Sequence, residues 1–317
     1  MLVFTGGFFR KDEDMKKYLL MNDKKRFKAN MHCHTNISDG VHTPEEIKAL
    51  YVAQGYNIVA FTDHNVLQSH EYLNDDKFLA INACEVDISQ TGKAWNETRT
   101  YHFNLYATKP NMRGTPPLPT MDYDDITAIN KYIADRISEG FLVCYNHPYW
   151  SLQTQAEYSR LKGCFAMEIY NHGCEVEGFY GYNPQAYDEM LRAGQRAHCL
   201  SVDDNHNAVP DSFGGYIQIS SQSLSYENII QSLKNGDFYS SQGPEIYEIS
   251  LNGNELTVIC SDVEAIVVFT QGRKCFVENG KGITGARFQL DGSEGYIRVI
   301  CRDNDKKDAN SNAYWLI

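Results

Sequence analysis

The 317-residue sequence lacks features that mark several common classes of protein. No apolar run approaches the roughly 20 residues that a membrane-spanning helix needs, so no membrane partner is expected. Positive charge is also scarce: 29 lysine and arginine residues stand against 41 aspartate and glutamate residues, which gives a formal net charge of −12. This balance argues against a nucleic acid polymer as partner. A small anionic substrate stays compatible with it, because bound divalent cations reverse the local field.

The nine cysteines include no pair with CxxC spacing. Five of them lie in or beside apolar strand-like runs, which indicates reduced core residues: Cys33, Cys84, Cys144, Cys164 and Cys199. The opening residues MLVFTGGFFRKDED are apolar only briefly and carry no basic leader, so they make a poor signal peptide. We therefore expect a cytoplasmic protein.

Short apolar runs alternate with amphipathic stretches from residue 27 onward. Strands are predicted at seven runs: 27–33, 57–62, 78–86, 101–107, 141–146, 164–170 and 197–203. Helices are predicted at 43–54, 122–139, 154–161, 184–194 and 226–234, with a further short helix at 12–21. This order predicts an α/β fold with a mostly parallel sheet, either closed as a barrel or open and doubly wound.

The first helix has the clearest boundaries. Thr43, Pro44 and Glu46 supply an N-cap, a proline at the first helical position and the acid of a capping box. Gly55 marks the end of the helix.

The pattern changes near residue 245. Strand-like runs with glycine-bearing turns follow, among them a hairpin around Asn252-Gly253-Asn254. We expect an N-terminal extension over residues 1–26, a barrel over 27–244, and a small all-β, sandwich-like domain over 245–317.

The segment NMHCHTNISDG, residues 30–40, carries the first chemical signal. Its two histidines fit a metal site or the end of an ordinary strand, and Cys33 between them suggests a cysteine site. Alternate side chains of a strand share a face, so His32 and His34 point the same way and Cys33 points the other way. Spacing therefore removes Cys33 from the site.

Further ligand-type residues stand where other apolar runs end: Asp63-His64, Glu85, His102, His147 and Asp204-Asn205-His206. Active sites of barrels gather at the carboxyl ends of the strands. Six unrelated histidines would have to reach this position independently if the pattern had no functional meaning. A shared metal site is the better explanation.

These segments carry a resemblance to a known family. HCHTNISDG, FTDHN, the Glu85 segment, NHP and DDNH resemble the motifs of the PHP (polymerase and histidinol phosphatase) family of metal-dependent phosphoesterases, from residue 27 to about 240. The resemblance implies a distorted seven-stranded β/α barrel and two to three divalent metal ions, zinc, manganese or iron.

The family's metal ligands fall on nine positions of this sequence. The resemblance implies as ligands His32, His34, Asp39, His64, Glu85, His102, His147, Asp204 and His206. Asp203 stands beside Asp204, but the DxH spacing selects Asp204. Six imidazoles and three carboxylates suit zinc, manganese or iron better than calcium or magnesium.

The implied chemistry is hydrolysis of a small phosphorylated molecule by a metal-bridging hydroxide, with no protein nucleophile. Four further residues are candidates around the metals. Asp63 would orient an imidazole or shuttle a proton, and His172 would donate a proton to the leaving group. Glu168 and Asn171 would lie behind the ligands or touch substrate. In the loop 88–100, Trp95 and Arg99 either cover the opening as a lid or phosphate clamp or are solvated.

Two other functions stay open. The same constellation with a C-terminal β domain resembles PHP-related hydrolases that cut carboxylic or carbamate esters. An anion clamp of two or more cationic side chains facing the metals would favour phosphate, and an apolar pocket would favour a neutral ester. The third alternative is a non-catalytic PHP binding module, against which the intact set of ligands argues.

Overall fold

The computed structural model describes residues 16–20, 25–112, 114 and 116–316. Six α-helices are found within these residues: α1 Pro44–Ala53, α2 Ile126–Ser138, α3 Gln155–Tyr158, α4 His172–Gly178, α5 Pro184–Arg192 and α6 Tyr226–Asn235. The strands of the first part are β1 Lys17–Leu20, β2 Lys25–Asn30, β3 Ile58–Phe61, β4 Leu79–Ser89, β5 Thr100–Ala107, β6 Phe141–Tyr145, β7 Ala166–Asn171, β8 His198–Val202, β9 Tyr216–Ser221 and β10 Phe238–Ser241. Six more strands follow: β11 Ile246–Asn252, β12 Glu255–Thr270, β13 Cys275–Gln289, β14 Tyr296–Arg302, β15 Asp308–Ser311 and β16 Tyr314–Trp315.

The seven strand-like runs of the sequence correspond to β2 through β8, which are neighbours in this order in one mixed sheet. The α/β class is therefore confirmed. Two connections to which no helix was assigned also lack an α-helix in the structure. Residues 62–78 and 90–99 contain only short 3-10 helices, at Glu71–Leu73 and Trp95–Glu97.

The mostly parallel sheet needs a correction at β5, which runs antiparallel to both β4 and β6. A parallel neighbour needs a crossover of a dozen or more residues, usually with a helix. The ten residues 90–99 are too few for one, so β5 returns beside β4 as the second arm of a hairpin.

The chain segments that follow the first and last of the seven strands also meet. The amide of His34 donates to the carbonyl of Asn205 at 3.0 Å, and the amide of Asp204 donates to the carbonyl of His32 at 2.9 Å. These bonds bring the two histidine-bearing segments together across more than 170 positions of sequence. At its other edge β2 pairs antiparallel with β9, which the sequence pattern did not predict.

The local signals at α1 are confirmed. Thr43 and Glu46 form the capping box, Pro44 opens the helix, and Gly55 follows its end with a positive φ of 76°. The helix packs over an apolar cluster that includes Ile47, Tyr51 and Cys33. The capped helix therefore covers Cys33, the residue between the two histidines.

The predicted helix at 12–21 is wrong where the chain is described. Lys17–Leu20 is strand β1, which pairs antiparallel with β11, and residues 12–15 and 21 lie outside the described residues. The segment thus joins the sheet of the C-terminal strands, and β2 begins at Lys25, inside the range assigned to an extension.

Beyond residue 245 the described chain is all β, as expected, and β11 and β12 form the hairpin around Gly253. The backbone hydrogen bonds join these strands to the preceding sheet. β10 pairs with β15, so the C-terminal strands continue the sheet that contains β2 through β9. The apolar side chains of these strands form their own cluster around Val258, Ile266 and Val299.

Candidate metal centre

All nine candidate ligands meet at one end of the seven strands. The structure joins them through side-chain contacts of 4 Å or less: His32, His34, Asp39, His64, Glu85, His102, His147, Asp204 and His206. Most lie just after a strand ends. His102 lies near the start of β5, and the antiparallel course of β5 places it opposite Asp87, beyond Glu85 in β4. The reversed strand therefore presents its first residues at the end where the others present their last.

The Glu85 carboxylate stands between two sets of imidazoles. Its Oε1 atom lies 2.9 Å from Nδ1 of His102 and 3.4 Å from Nε2 of His147. Its Oε2 atom lies 3.4 Å from Nε2 of both His32 and His34. Each carboxylate oxygen thus faces a different set, which is the arrangement of a carboxylate that bridges two cations.

The first set contains His32, His34 and Asp204. The two Nε2 atoms are 3.0 Å apart, and Oδ1 of Asp204 lies 3.0 and 3.1 Å from them. Two nitrogen ligands of one ion, each at about 2.1 Å, stand roughly 3 Å apart when their directions are perpendicular. The spacing therefore fits three ligands of a single ion.

A further set lies at the open side of the site. Ligand atoms of His34, Asp39, His64 and His206 lie within 4.8 Å of one another. The Asp39 Oδ2 atom is 3.6 Å from Nε2 of His64 and 3.5 Å from Nε2 of His206. The Asp39 side chain is 53% exposed, so the site is open to solvent on this side.

The pKa shifts of the buried side chains show that carboxylate charge dominates the electrostatics of the site. Burial alone would lower the pKa of His34, but the carboxylates of Asp204 and Glu85 outweigh it and raise the pKa to about 9. The pKa of His32 is likewise raised despite burial, by Asp204, Glu85 and Glu168. Burial would raise the pKa of Glu85, yet the adjacent histidines hold it well below its usual range. Without metal, protons on the imidazoles would balance these carboxylates.

Two buried atoms favour metal as the natural occupant. Nδ1 of His34 and Oδ1 of Asp204 have no well-aligned hydrogen-bond partner among the described residues, although both lie near charged groups. An unpaired buried polar atom is costly and therefore uncommon in a folded protein. Imidazole nitrogen and carboxylate oxygen are ligands that zinc, manganese and iron accept, so the residues present fit divalent ions of this kind.

Glu168 and Asn171 lie behind the candidate ligands. The Glu168 Oε1 atom is 2.6 Å from Nδ1 of His32, which leaves Nε2 of that ring facing the site. The Asn171 amide donates to Glu168 at 2.9 Å and to Asp204 at 3.0 Å. Carboxylates behind ligand histidines fix the tautomer and the orientation of the ring. Both residues lie behind the candidate ligands, and their roles stay predictions.

Backbone strain accompanies two of the candidate ligands. His147 and Asp204 have positive φ angles of 22° and 55°, which residues other than glycine seldom adopt. Such conformations cost about 1–3 kcal/mol and cluster at functional sites. Here they turn the side chain from the end of a strand into the site.

Asp63 does not contact an imidazole in the way the sequence suggested. Its carboxylate accepts hydrogen bonds from the amide and hydroxyl of Thr35 and from the amide and hydroxyl of Ser38. These bonds hold the loop that carries Asp39. The geometry favours a loop anchor over a proton shuttle, because both carboxylate oxygens are engaged.

His172 lies outside the contacts of the nine ligands. It opens α4, its Nδ1 atom is 2.9 Å from the Tyr170 hydroxyl, and its ring packs so closely on Gly214 that a Cβ there would lie 2.1 Å away. Burial lowers its pKa. Its role as a proton donor stays a prediction.

The choice of Asp204 over Asp203 fits the geometry. The Asp203 carboxylate faces away and accepts bonds from the amides of Phe213, Gly214 and Gly215 and from the Tyr51 hydroxyl. Burial raises its pKa to about 6. Cys33 is likewise buried on the far side, among apolar side chains.

Two polar residues of the site were missed. The Asn146 amide donates to Oε1 of Glu85 at 2.8 Å, and the Ser151 hydroxyl lies 3.1 Å from Nδ1 of His147. Asn146 stands next to His147 in the NHP motif, so its neighbour was the available signal. Ser151 has no distinctive spacing, and only the turn after β6 brings it back to the ring.

Comparison with known proteins supports this description. The family model described as PHP domain matches residues 30–261. The match covers more than half of the chain, which shows the family. The chain belongs to the PHP domain family.

Among solved structures, a protein from Bacteroides vulgatus is similar over 98% of this chain and 99% of its own, with 16% identity and a TM-score of 0.50. It is described as a two-domain protein containing a predicted PHP-like metal-dependent phosphoesterase, and at this identity the likeness shows a shared fold.

Two more distant structures cover just over half of this chain. A protein from Bifidobacterium adolescentis, proposed to be a metal-dependent phosphoesterase, has 12% identity and a TM-score of 0.37 over 57% of this chain and 89% of its own. An amidohydrolase from Chromobacterium violaceum with bound sulfate and no metal has 13% identity and a TM-score of 0.40 over 58% of this chain and 89% of its own.

No curated protein matches the sequence. No helix among the described residues is long and apolar enough to cross a membrane.

Proposed function

We propose that the protein is a metal-dependent phosphoesterase that hydrolyses a small phosphorylated molecule. The observation that carries the proposal is Glu85, whose two oxygens face two different sets of imidazoles. Carboxylate bridges of this kind belong to sites that hold two ions close together. Divalent ions bound there supply a hydroxide nucleophile near neutral pH and polarise the phosphoryl oxygens.

The residues of the chain would prepare this chemistry. His32, His34 and Asp204 would hold one ion, His102 and His147 a second, and Glu85 would bridge them. Asp39, His64 and His206 would hold a third on the exposed side. Glu168 and Ser151 fix the rings of His32 and His147 so that Nε2 of each faces the ions. The seven strands β2 through β8 would enclose these residues as a distorted barrel, followed by a C-terminal β domain from about residue 245.

A second candidate is hydrolysis of a carboxylic or carbamate ester. One observation favours it: Arg99, one of the two cationic residues of the 88–100 loop, is paired with Glu157 at 2.6 Å. An arginine held in this way is not free to clamp a phosphate. The phosphoester is the stronger proposal because its excess negative charge matches a site with more cationic than carboxylate charge once ions are bound.

A substrate screen tests the proposal. Zinc- and manganese-loaded protein is assayed with phosphomonoesters, phosphodiesters and carboxylic esters, and the His34→Ala variant serves as the inactive control. We expect metal-dependent phosphate release. Turnover of carboxylic esters alone would support the second candidate, and no turnover of any ester by metal-loaded protein would support the binding module.

A further inference from the structure

Two tryptophans lie beside the candidate metal ligands. The Trp150 ring is 5.3 Å from the ring of His147 and 5.9 Å from that of His102, measured between centroids. Trp95, in the 3-10 helix Trp95–Glu97 of the 88–100 loop, lies 6.3 Å from Trp150 in an edge-to-face arrangement. We call Trp95 and Trp150 the aromatic rim. It continues from the second set of imidazoles outward to solvent.

Trp95 is 81% exposed, the second most exposed of the large apolar side chains that the structure describes. An exposed indole lacks the stabilisation that burial of its apolar surface would give, and no structural benefit of its exposure is evident. Exposed apolar surface next to a polar cleft is a common sign of a ligand site. Trp95 therefore needs an explanation that Trp150, which covers two ligand histidines, does not.

The turn that carries Trp150 is held from the opposite side. The Trp150 indole N–H donates to Glu177 at 2.7 Å, and the neighbouring Tyr149 packs edge-to-face on Tyr180 at 5.0 Å. The N–H is thus directed at α4, and the Trp150 part of the rim is held in place before any ligand binds. A fixed aromatic surface binds a flat partner at a low cost in conformational entropy.

We propose that the aromatic rim is a subsite for a planar aromatic ring attached to the reacting ester group. The inference rests on the proposed function, which places the reacting ester group at the candidate metal ligands. The Trp150 ring lies 5–6 Å from the rings of His147 and His102. A substrate ring one or two bonds from a group bound at these ligands would therefore reach Trp150. Aromatic rings prefer offset or edge-to-face contacts with centroids about 4.5–7 Å apart, as Trp95 and Trp150 themselves show.

The test is a pair of non-hydrolysable ligands of equal length. Benzylphosphonate and cyclohexylmethylphosphonate carry the same anionic group and differ in whether the six-membered ring is planar and aromatic. Their dissociation constants are measured by calorimetry with manganese-loaded protein. We expect benzylphosphonate to bind at least about fivefold more tightly, since stacking on an aromatic side chain has effects of this size.

Substitutions at Trp95 locate the preference, and because the side chain is exposed they spare the fold. Trp95→Leu keeps an apolar side chain without a ring, so the preference should fall at least about twofold, with the remainder supplied by the Trp150 ring. Trp95→Phe should keep most of it. Tyr72→Leu removes another exposed aromatic ring, outside the rim, and should leave the ratio unchanged. Equal binding of the two phosphonates by the wild type, or an unchanged preference in Trp95→Leu, would overturn the proposal.

A second ligand pair separates this inference from the proposed function. If neither phosphonate binds, phenylacetate and cyclohexylacetate are compared in the same way. A ring preference that depends on Trp95 in this pair would support the rim while contradicting phosphate recognition. Failure of both pairs to bind would contradict the rim as a subsite.

Discussion

The metal-centre end of β2 through β8 and the strands after residue 245 both bury charged groups, but they do so differently. At the metal centre, His34 and Asp204 keep buried atoms without well-aligned partners. In β14, Arg298 is fully buried and its guanidinium makes two bonds of 2.6 and 2.8 Å to Asp188 of α5.

The difference shows which charges the fold completes by itself. The Arg298–Asp188 pair is neutral as a unit, so it needs nothing from solution. The candidate metal centre groups carboxylates and imidazoles so that the pKa of His34 is raised and that of Glu85 is lowered, and two of its buried atoms lack well-aligned partners among the described residues. Buried charge alone therefore does not mark a functional site.

The largest effect should come from His34, which belongs to two of the ligand sets. His34→Ala should lower activity by more than the roughly 10–100-fold typical of residues behind a metal ligand, and should lower metal content. His42→Ala is the matched control, because His42 lies near Glu46 outside the site. Elemental analysis and ester turnover on the same samples check the prediction. Full metal content in His34→Ala would contradict it.

Substitution of the Arg298–Asp188 pair should change the stability of the protein and leave its metal content unchanged. Arg298→Ala leaves Asp188 buried without its partner, so we expect a loss of about 3–5 kcal/mol in the free energy of unfolding. Replacing both residues, as Arg298→Met with Asp188→Leu, should recover much of that loss. Urea denaturation measures both. Metal loss in folded Arg298→Ala protein would break the distinction between the two regions.

The next effect tests the carboxylate behind His32. Glu168→Gln keeps the shape but removes the charge that faces Nδ1, so metal affinity should fall about 10–100-fold. Glu227→Gln, on the exposed first turn of α6, should bind metal as the wild type does. Competition with a chelator gives both affinities. Unchanged affinity in Glu168→Gln would mean that the 2.6 Å contact does not tune His32.

The smallest effect on activity is expected at Cys33, between the two histidines. Cys33→Ser places a hydroxyl among apolar side chains, which costs stability, about 1–3 kcal/mol, but leaves activity per folded molecule largely intact. Thermal unfolding and turnover are measured together. Loss of activity in folded Cys33→Ser protein would show that the alternation argument is wrong.

Much of this organisation was accessible from the sequence. The seven apolar runs and the capping signals at Thr43 and Glu46 are local properties, and the structure confirms them. The nine ligands were accessible because their residue types recur at strand ends and match a family's motifs. The direction of β5 was not, since a two-residue period is the same for parallel and antiparallel neighbours.

Other features depend on contacts between distant segments. β9 and β10 carry serines and a glutamine that weaken an apolar pattern, and only pairing with β2 and β15 makes them strands. At the site, Ser151 and Trp150 have no sequence spacing that identifies them as neighbours of the candidate ligands. Asp63 was expected to contact an imidazole, but its carboxylate accepts hydrogen bonds from Thr35 and Ser38. The position of Asp63 in the sequence gives no sign of these contacts.

Metal stoichiometry tests the central claim most directly. Protein loaded with zinc or manganese and freed of loosely bound ions is analysed for metal per chain, with His34→Ala alongside. The three overlapping ligand sets predict about two to three tightly bound ions per chain, and fewer in the variant. Fewer than two ions per wild-type chain would contradict the account, because the Glu85 carboxylate would then have no pair of cations to bridge.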